Sequence, residues 1–329
     1  QYGAGTASVR FICGTMSIHE QLEQQLADFH KTEAALTYSS CWAANTGLLP
    51  VICQPGGVLI SDELNHASII DGARLVSKQV TREIYKHSSM EHLEELLLKH
   101  VDAINKFIVT DGVFSMEGDL ANLPKIVELA NRHKATVIVD DSHGVGVMGK
   151  HGHGVAEHFG VEEHIDIYTG TLGKSLGGAA GGYVAGRQDI IDMLIQKSRP
   201  HIFSNAISPA TAGAAMGALD VLTKHPEMVA ELHGKVAYFR DGLKKLGFKP
   251  LDGESAIVPI IVGETATAIR LSEELLKEHI FVTGFGFPVV PEGAARIRVQ
   301  ISQALSYADM DKALEAFRKV GEKNGLLAA

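Results

Sequence analysis

Over the first two thirds of the chain, short runs that are apolar on both faces alternate with longer runs of helical period. The short runs are residues 35–38, 58–61, 107–110, 137–140, 165–169 and 182–185. Runs this short with no polar face fit strands buried in a parallel sheet, where water reaches neither side. Between them, residues 18–30, 43–52, 67–77, 90–100 and 123–133 carry helical patterns, and Asn122 ahead of Leu123-Pro124 marks a helix start. This alternation predicts an α/β fold, a three-layer α/β/α sandwich around a mostly parallel sheet.

The pattern changes further on. Residues 209–223 and 228–246 read as long helices. Residues 257–262, 281–283 and 296–300 read as strands, with helices at 266–278 and 307–322. That order predicts a smaller C-terminal α+β domain, dividing the chain into a large domain at 1–225 and a small one at 226–329. The opening residues QYGAG have neither an initiator Met nor the basic n-region of a signal peptide, which leads us to expect that upstream residues are missing.

Composition narrows the partners. The chain has 329 residues and a net charge of −9, which argues against a nucleic-acid or anionic-membrane surface. Its three cysteines, Cys13, Cys41 and Cys53, show no Cys-x-x-Cys spacing, and a sparse odd count suggests a reducing compartment without a disulfide framework. No apolar run is long enough to span a bilayer.

The candidate chemistry sits where strands end. Ligands of open α/β sheets bind outside the carboxyl ends of the strands. Thr110-Asp111, Asp140 and Thr169-Gly170 all fall at such ends, and Lys174 follows in the glycine-rich run Thr171-Leu172-Gly173-Lys174-Ser175-Leu176-Gly177-Gly178. A lysine in such a loop can form an imine with an aldehyde, and an aspartate at a buried strand end can hold a protonated ring nitrogen. Together they are what pyridoxal phosphate requires. A nucleotide P-loop is excluded, since its first glycine falls at Tyr168. Ser115 is not a hydrolase nucleophile, because Val113 and Glu117 occupy the glycine positions of that motif. His143, His151, His153 and His158 lack a recognisable zinc spacing, so no metal is expected. His143 lies instead in the loop above the Asp140 strand end.

Four further features stand out, and three of them carry two readings. His66 stands between a strand and a helix, either stacking on a flat ring or capping the helix. Cys41 and Trp42 open another helix, whose amides suit a phosphate, although Trp42 can equally be core. Ser115 lies in a glycine loop after a strand, as a hydrogen-bond donor to the cofactor. Arg296 and Arg298 share one strand face, where an arginine fork suits a carboxylate but two edge-strand arginines in solvent look the same in sequence.

These residues resemble the α-oxoamine synthases, fold-type-I pyridoxal-phosphate enzymes that join an amino acid to an acyl-CoA. The resemblance is carried by SVRFICGT at 8–15, SDELNHASIIDG at 61–72, TGTLGK at 169–174, SRPHIFSN at 198–205 and FPVVP at 287–291. It spans essentially the whole chain, and within the family it points to members that use glycine and acetyl-CoA. It implies that Lys174 holds the pyridoxal 5′-phosphate aldehyde and then serves as the base, and that Asp140 pairs the pyridine nitrogen. His143 and Ser115 would bond the ring oxygen, and His66 would stack on the ring beside the substrate. Cys41, Trp42 and Thr171 would hold the phosphate. Ser204 and Asn205 would reach the phosphate in the other subunit, which implies a homodimer with shared active sites. Arg298 would take the glycine carboxylate. The implied reaction interconverts glycine and acetyl-CoA with 2-amino-3-ketobutyrate and CoA in threonine breakdown, in the cytoplasm or the mitochondrial matrix and not outside the cell. Three positions depart from the family pattern: Trp42 stands for a Phe or Tyr, Glu292 for a Lys and His153 for an Arg. The last two remove positive charge where CoA phosphates would bind. A sister enzyme with another amino acid or acyl-CoA, and an inactive scaffold that has kept the fold, stay open as alternatives.

Overall fold

The computed structural model describes residues 2–177 and 180–327, so Gly178 of the lysine loop lies outside the described residues. The chain divides into two compact units, Gln1–Val113 with Ala121–Pro226, and Phe114–Leu120 with Glu227–Ala329. The strands are β1 (Ala34–Tyr38), β2 (Val58–Asp62), β3 (Thr81–Tyr85), β4 (Lys106–Asp111), β5 (Ala135–Asp140), β6 (Ile167–Thr171), β7 (Gly182–Gly186), β8 (Ile257–Gly263), β9 (Thr283–Phe285) and β10 (Ala295–Gln300). The helices are α1 (Ser17–His30), α2 (Cys41–Ile52), α3 (Ala67–Leu75), α4 (Met90–Lys99), α5 (Leu123–His133), α6 (Val155–Phe159), α7 (Gln188–Lys197), α8 (Arg199–Ile202), α9 (Pro209–Lys224), α10 (Glu227–Lys245), α11 (Thr265–Lys277) and α12 (Tyr307–Lys323).

In the first unit seven strands form one sheet in the order β1-β7-β6-β5-β4-β2-β3. Strands β3, β2, β4, β5 and β6 run parallel, while β7 is antiparallel to both β6 and β1. Every residue of β2, β4 and β7 is buried, so the sheet is covered on both faces, as the unbroken apolar runs require. The core on one face gathers Leu36, Leu48, Leu49, Ile69, Val109 and Ile138. Leu48 and Leu49 of α2 are fully buried, and cutting either to Ala costs about 2–5 kcal/mol. Asn122 caps α5 through Lys125 N, with Pro124 in the first turn.

Two expected strands lie two residues further along the chain. Strand β6 begins at Ile167 rather than 165, because Ile165 N still closes the preceding turn on Glu162 O and the Asp166 carboxylate accepts from Val137 N. Strand β9 begins at Thr283, after a left-handed His279 and a Phe281 that is 83% exposed. Strand β3 was not anticipated: Thr-Arg-Glu-Ile-Tyr is a polar edge strand without an apolar run.

In the second unit, β8, β10 and β9 form an antiparallel sheet with β10 in the middle. The segment Phe114–Leu120 departs from the expected boundary at 225 because its backbone is held there. Arg296 Nη1 donates to Met116 O at 3.0 Å, and Ser255 Oγ donates to Gly118 O at 2.7 Å.

Candidate active site

Strand β5 delivers Asp140, a carboxylate only 3% exposed at its carboxyl end. Both of its oxygens are held. Ser142 N donates to Oδ1 at 3.0 Å, and Asn45 Nδ2 donates to Oδ2 at 2.6 Å, with the Cys41 thiol at 3.4 Å. Asn45 and Cys41 come from α2, which the Ser40 side chain caps by accepting from Ala43 N. The amides of Cys41 and Trp42 open that helix, where backbone N–H groups lack intrahelical partners and favour an anion. Gly182 lets β7 approach this helix start: a Cβ there would sit 2.2 Å from Cys41 N. The Cys41 thiol is pushed well above its ordinary range by burial and then by the Asp140 charge, so it stays protonated.

His66 joins from the adjacent strand end. It caps α3, its Nδ1 accepting from Ser68 N, and its backbone N donates to Asp111 Oδ2 at 2.9 Å. The indole of Trp42, 45% exposed, stands edge-on to the imidazole with ring centres 6.2 Å apart. Burial lowers the His66 pKa; the Asp140 charge opposes that and the Lys174 charge adds to it. Asp111, at the end of β4, is raised well above the usual carboxylate range by burial and by Asp140, with His66 N and Lys174 pulling the other way. Lys174 is exposed on the loop after β6, and its charge acts on Cys41, His66 and Asp111 alike. These groups therefore share one crevice at the carboxyl end of the sheet.

The remaining expected residues distribute as follows. His143 is half-buried in the turn that the Asp141 carbonyl closes by accepting from Gly144 N and Val145 N. Thr171 ends β6, its hydroxyl accepting from Gly173 N at the base of the lysine loop. Ser204 is half-buried and Asn205 exposed, the latter bridged to Val9. Ser115 and Arg298 belong to the second unit, where Arg298 Nε donates to Ser115 O at 2.6 Å. Arg296 is not an edge-strand arginine in solvent: it lies on the central strand, 5% exposed, and pairs with Glu117 at 2.9 Å. His151 pairs with Glu157, and His153 packs on Phe29. Among the described residues no group of three His, Cys, Asp or Glu side chains is arranged to hold a metal ion.

Sequence reasoning placed Asp111 at a strand end without giving it a role, and it missed Asn45 and Ser68. Asn45 and Ser68 look like helix-surface residues in sequence, yet they are 2% and 1% exposed. A polar residue in an otherwise apolar helix was the signal available for Asn45.

The donor set fits pyridoxal 5′-phosphate. A solvent-reachable primary amine, a buried carboxylate at a strand end, a capped helix start for a phosphate and an imidazole beside an indole are the groups that its aldehyde, ring nitrogen, phosphate and ring face call for.

Comparison with known proteins agrees with this reading. Residues 2–317 match the family model "Aminotransferase class I and II". The chain is 46% identical over 327 residues to 8-amino-7-oxononanoate synthase of Thermosipho melanesiensis, covering 99% of this chain and 83% of that protein. It is 44% identical over 329 residues to 2-amino-3-ketobutyrate coenzyme A ligase of Escherichia coli K12, covering 99% and 82%. Among solved structures, a serine palmitoyltransferase variant of S. paucimobilis with a bound PLP–myriocin adduct superposes with a TM-score of 0.95 at 30% identity, covering 99% of this chain and 82% of that one. With this fold, this crevice and these relatives, the chain belongs to the class I and II aminotransferase family of fold type I, in its α-oxoamine synthase branch.

Proposed function

We propose that the protein is a pyridoxal-phosphate-dependent acyltransferase that interconverts glycine and acetyl-CoA with 2-amino-3-ketobutyrate and CoA, that is, a glycine C-acetyltransferase or 2-amino-3-ketobutyrate CoA ligase. The observation that carries the reading is the crevice where the exposed Lys174 amine acts on groups gathered around the buried Asp140 carboxylate. When bound, pyridoxal 5′-phosphate supplies an electron sink for the carbon that loses its proton. The chain's own residues do the rest. Lys174 Nζ holds the cofactor between turnovers, and as a free amine it takes the proton from the substrate α-carbon. Asp140 keeps a proton on the ring nitrogen, and His66 covers the ring face. His143 and Ser115 orient the ring oxygen. Cys41, Trp42 and Thr171 anchor the phosphate.

We assign the glycine carboxylate to Arg298. Its Nε is already fixed by Ser115 O, and its terminal nitrogens make no hydrogen bond among the described residues. A fork held at one nitrogen loses little freedom on binding a carboxylate. In the same reading, Ser204 and Asn205 serve the partner's phosphate in a homodimer, and the reaction belongs to threonine breakdown in a bacterial cytoplasm or mitochondrial matrix.

A second reading is favoured by the 46% identity to 8-amino-7-oxononanoate synthase: the same site with another amino acid and a longer acyl chain. Thiol release measured across glycine, alanine and serine with acetyl-CoA and longer acyl-CoAs separates the two. We expect glycine with acetyl-CoA to exceed every other pair in kcat/KM by at least about tenfold, which is about 1.4 kcal/mol of discrimination. A better pair replaces the specific name and leaves the family. The wild-type protein is expected to show a visible absorption band with added cofactor that is lost in Lys174→Ala. A colourless wild type would leave only the scaffold alternative.

A further inference from the structure

Four side chains of the first unit form one directed line of hydrogen bonds. Asn45 Nδ2 lies 2.6 Å from Asp140 Oδ2 and 2.9 Å from Ser68 Oγ, and Ser68 Oγ lies 2.8 Å from His66 Nδ1. Asn45, Ser68 and Asp140 are almost fully buried, so these groups find their partners inside the protein. The direction of each proton follows from chemistry. A carboxylate only accepts, so the amide nitrogen of Asn45, not its oxygen, faces Asp140. The second amide hydrogen goes to Ser68 Oγ. That hydroxyl accepts there, and its own hydrogen is left for His66 Nδ1. The same Nδ1 accepts from Ser68 N at 3.2 Å. An imidazole nitrogen that accepts carries no proton, which leaves the proton of His66 on Nε2.

We propose that Asn45 and Ser68 are positioning residues that lock His66 as the neutral Nε2–H tautomer and tie its orientation to that of Asp140. The consequence for catalysis rests on the reading given under Proposed function: a neutral ring covers the cofactor without adding a second positive charge beside Lys174. Burial works in the same direction on His66, as does the Lys174 charge. The charges acting on the imidazole are Asp140 from β5 and Lys174 from the loop after β6; Asp111 from β4 accepts from the His66 backbone N, and Cys41 of α2 is held protonated nearby. A network that served stability alone would weaken the fold when cut and leave the protonation of His66 as it was.

The test is nuclear magnetic resonance of the imidazole nitrogens in protein labelled with 15N-histidine, assigned with His66→Gln. It is run with and without added pyridoxal 5′-phosphate, on wild type, Ser68→Ala, Ser68→Cys and Ser68→Thr. In the wild type the proton is expected on Nε2. Ser68→Ala removes the hydroxyl donor and leaves Nδ1 only the backbone N–H of residue 68 at 3.2 Å, so we expect the share of the Nε2–H tautomer to fall and the titration midpoint to rise by about one pH unit. Ser68→Cys, a weak donor that keeps the volume, is expected in between and serves if Ser68→Ala fails to fold. Ser68→Thr, which keeps the hydroxyl, restores the wild-type spectrum. An unmoved tautomer and midpoint in the Ala and Cys variants overturn the proposal. Because the relay is read without cofactor, a wild type that takes up no cofactor sinks the enzymatic reading alone, and an active enzyme with unmoved His66 sinks the relay alone.

Discussion

Asp140 and Asp141 leave β5 side by side and meet opposite surroundings. Asp140 is approached by side chains, the Asn45 amide and the Cys41 thiol, together with Ser142 N. Asp141 is enclosed by backbone. Val155 N donates to its Oδ2 at 2.7 Å, while its Oδ1 has no hydrogen-bond partner among the described residues. Gly112, Gly144 and Gly154 stand around it so closely that a Cβ on any of them would lie within 2.4 Å of a carboxyl oxygen. Burial, with some help from Asp140, pushes the Asp141 pKa up to about 7. The difference separates two uses of a buried acid. A carboxylate held by side chains can be addressed by a ligand, whereas one packed into glycine backbone shapes the loop beyond it, here the loop that carries His143.

The largest effect expected from breaking this comparison is on activity. Asp140→Asn keeps the volume and removes the charge that would keep the ring nitrogen protonated. We expect thiol release to fall by roughly a hundred- to a thousandfold, the scale of losing one strong electrostatic contact to the reacting group. The urea midpoint should stay level or rise, since a buried charge next to Asp141 and Asp111 is gone. Equal activity in the two proteins would remove Asp140 from the chemistry.

How much of this was readable in sequence differs between the two sides of the strand end. The apolar runs located β2, β4, β5 and β7, because strands buried on both faces have no polar positions to blur the period. Strand β3 escaped because it lies at the sheet edge, and helix α7 (Gln188–Lys197) was passed over as well. Asp140, Lys174 and His66 stood out because their residue types carry chemistry at strand ends and loops. Asn45 and Ser68 did not, since a helix shows its buried polar positions only once the neighbouring strand ends are in place. Asp141 was visible only as the second letter of Asp-Asp. Its three glycines come from two connections, Gly112 after β4 and Gly144 and Gly154 between β5 and α6, and their spacing in the chain does not show that they close on one carboxyl.

The second effect is on stability against pH. An aspartate in an unfolded chain loses its proton near pH ~4, whereas Asp141 in the fold keeps it up to about 7. The folded protein therefore holds an extra proton between these values. The stability tied to it is complete below about pH 4 and is lost as the pH rises through about 7. The loss has an upper limit of roughly 4 kcal/mol, from about three pH units at 1.36 kcal/mol each. Asp141→Asn cannot ionise and still offers Val155 N an oxygen. Unfolding free energies of the two proteins from urea titrations, followed from pH 5 to 8, are expected to diverge in favour of the Asn variant by about 1–3 kcal/mol, since about two of the three pH units lie in that range. Parallel curves would show that the glycine cage does not penalise the charge.

The smallest effect isolates the cage itself. Gly144 has no left-handed backbone angle, so a substitution there is opposed by contact alone: a Cβ would lie 1.9 Å from Asp141 Oδ1 and 2.9 Å from Val155 Cγ2. Gly144→Ala is expected to cost about 1–3 kcal/mol, the range of overpacking in a dense core. Gly217 of α9 has nothing within 4 Å of its Cβ position, and Gly217→Ala should instead stabilise by about 0.5–1 kcal/mol. The decisive measurement is the pair. In an Asp141→Ala background the oxygen that Gly144→Ala meets is gone, so most of its penalty should vanish, leaving the weaker contact with Val155. If the penalty of Gly144→Ala is the same with and without the Asp141 carboxyl, the two do not couple, and the loop bearing His143 is shaped by something other than the acid beneath it.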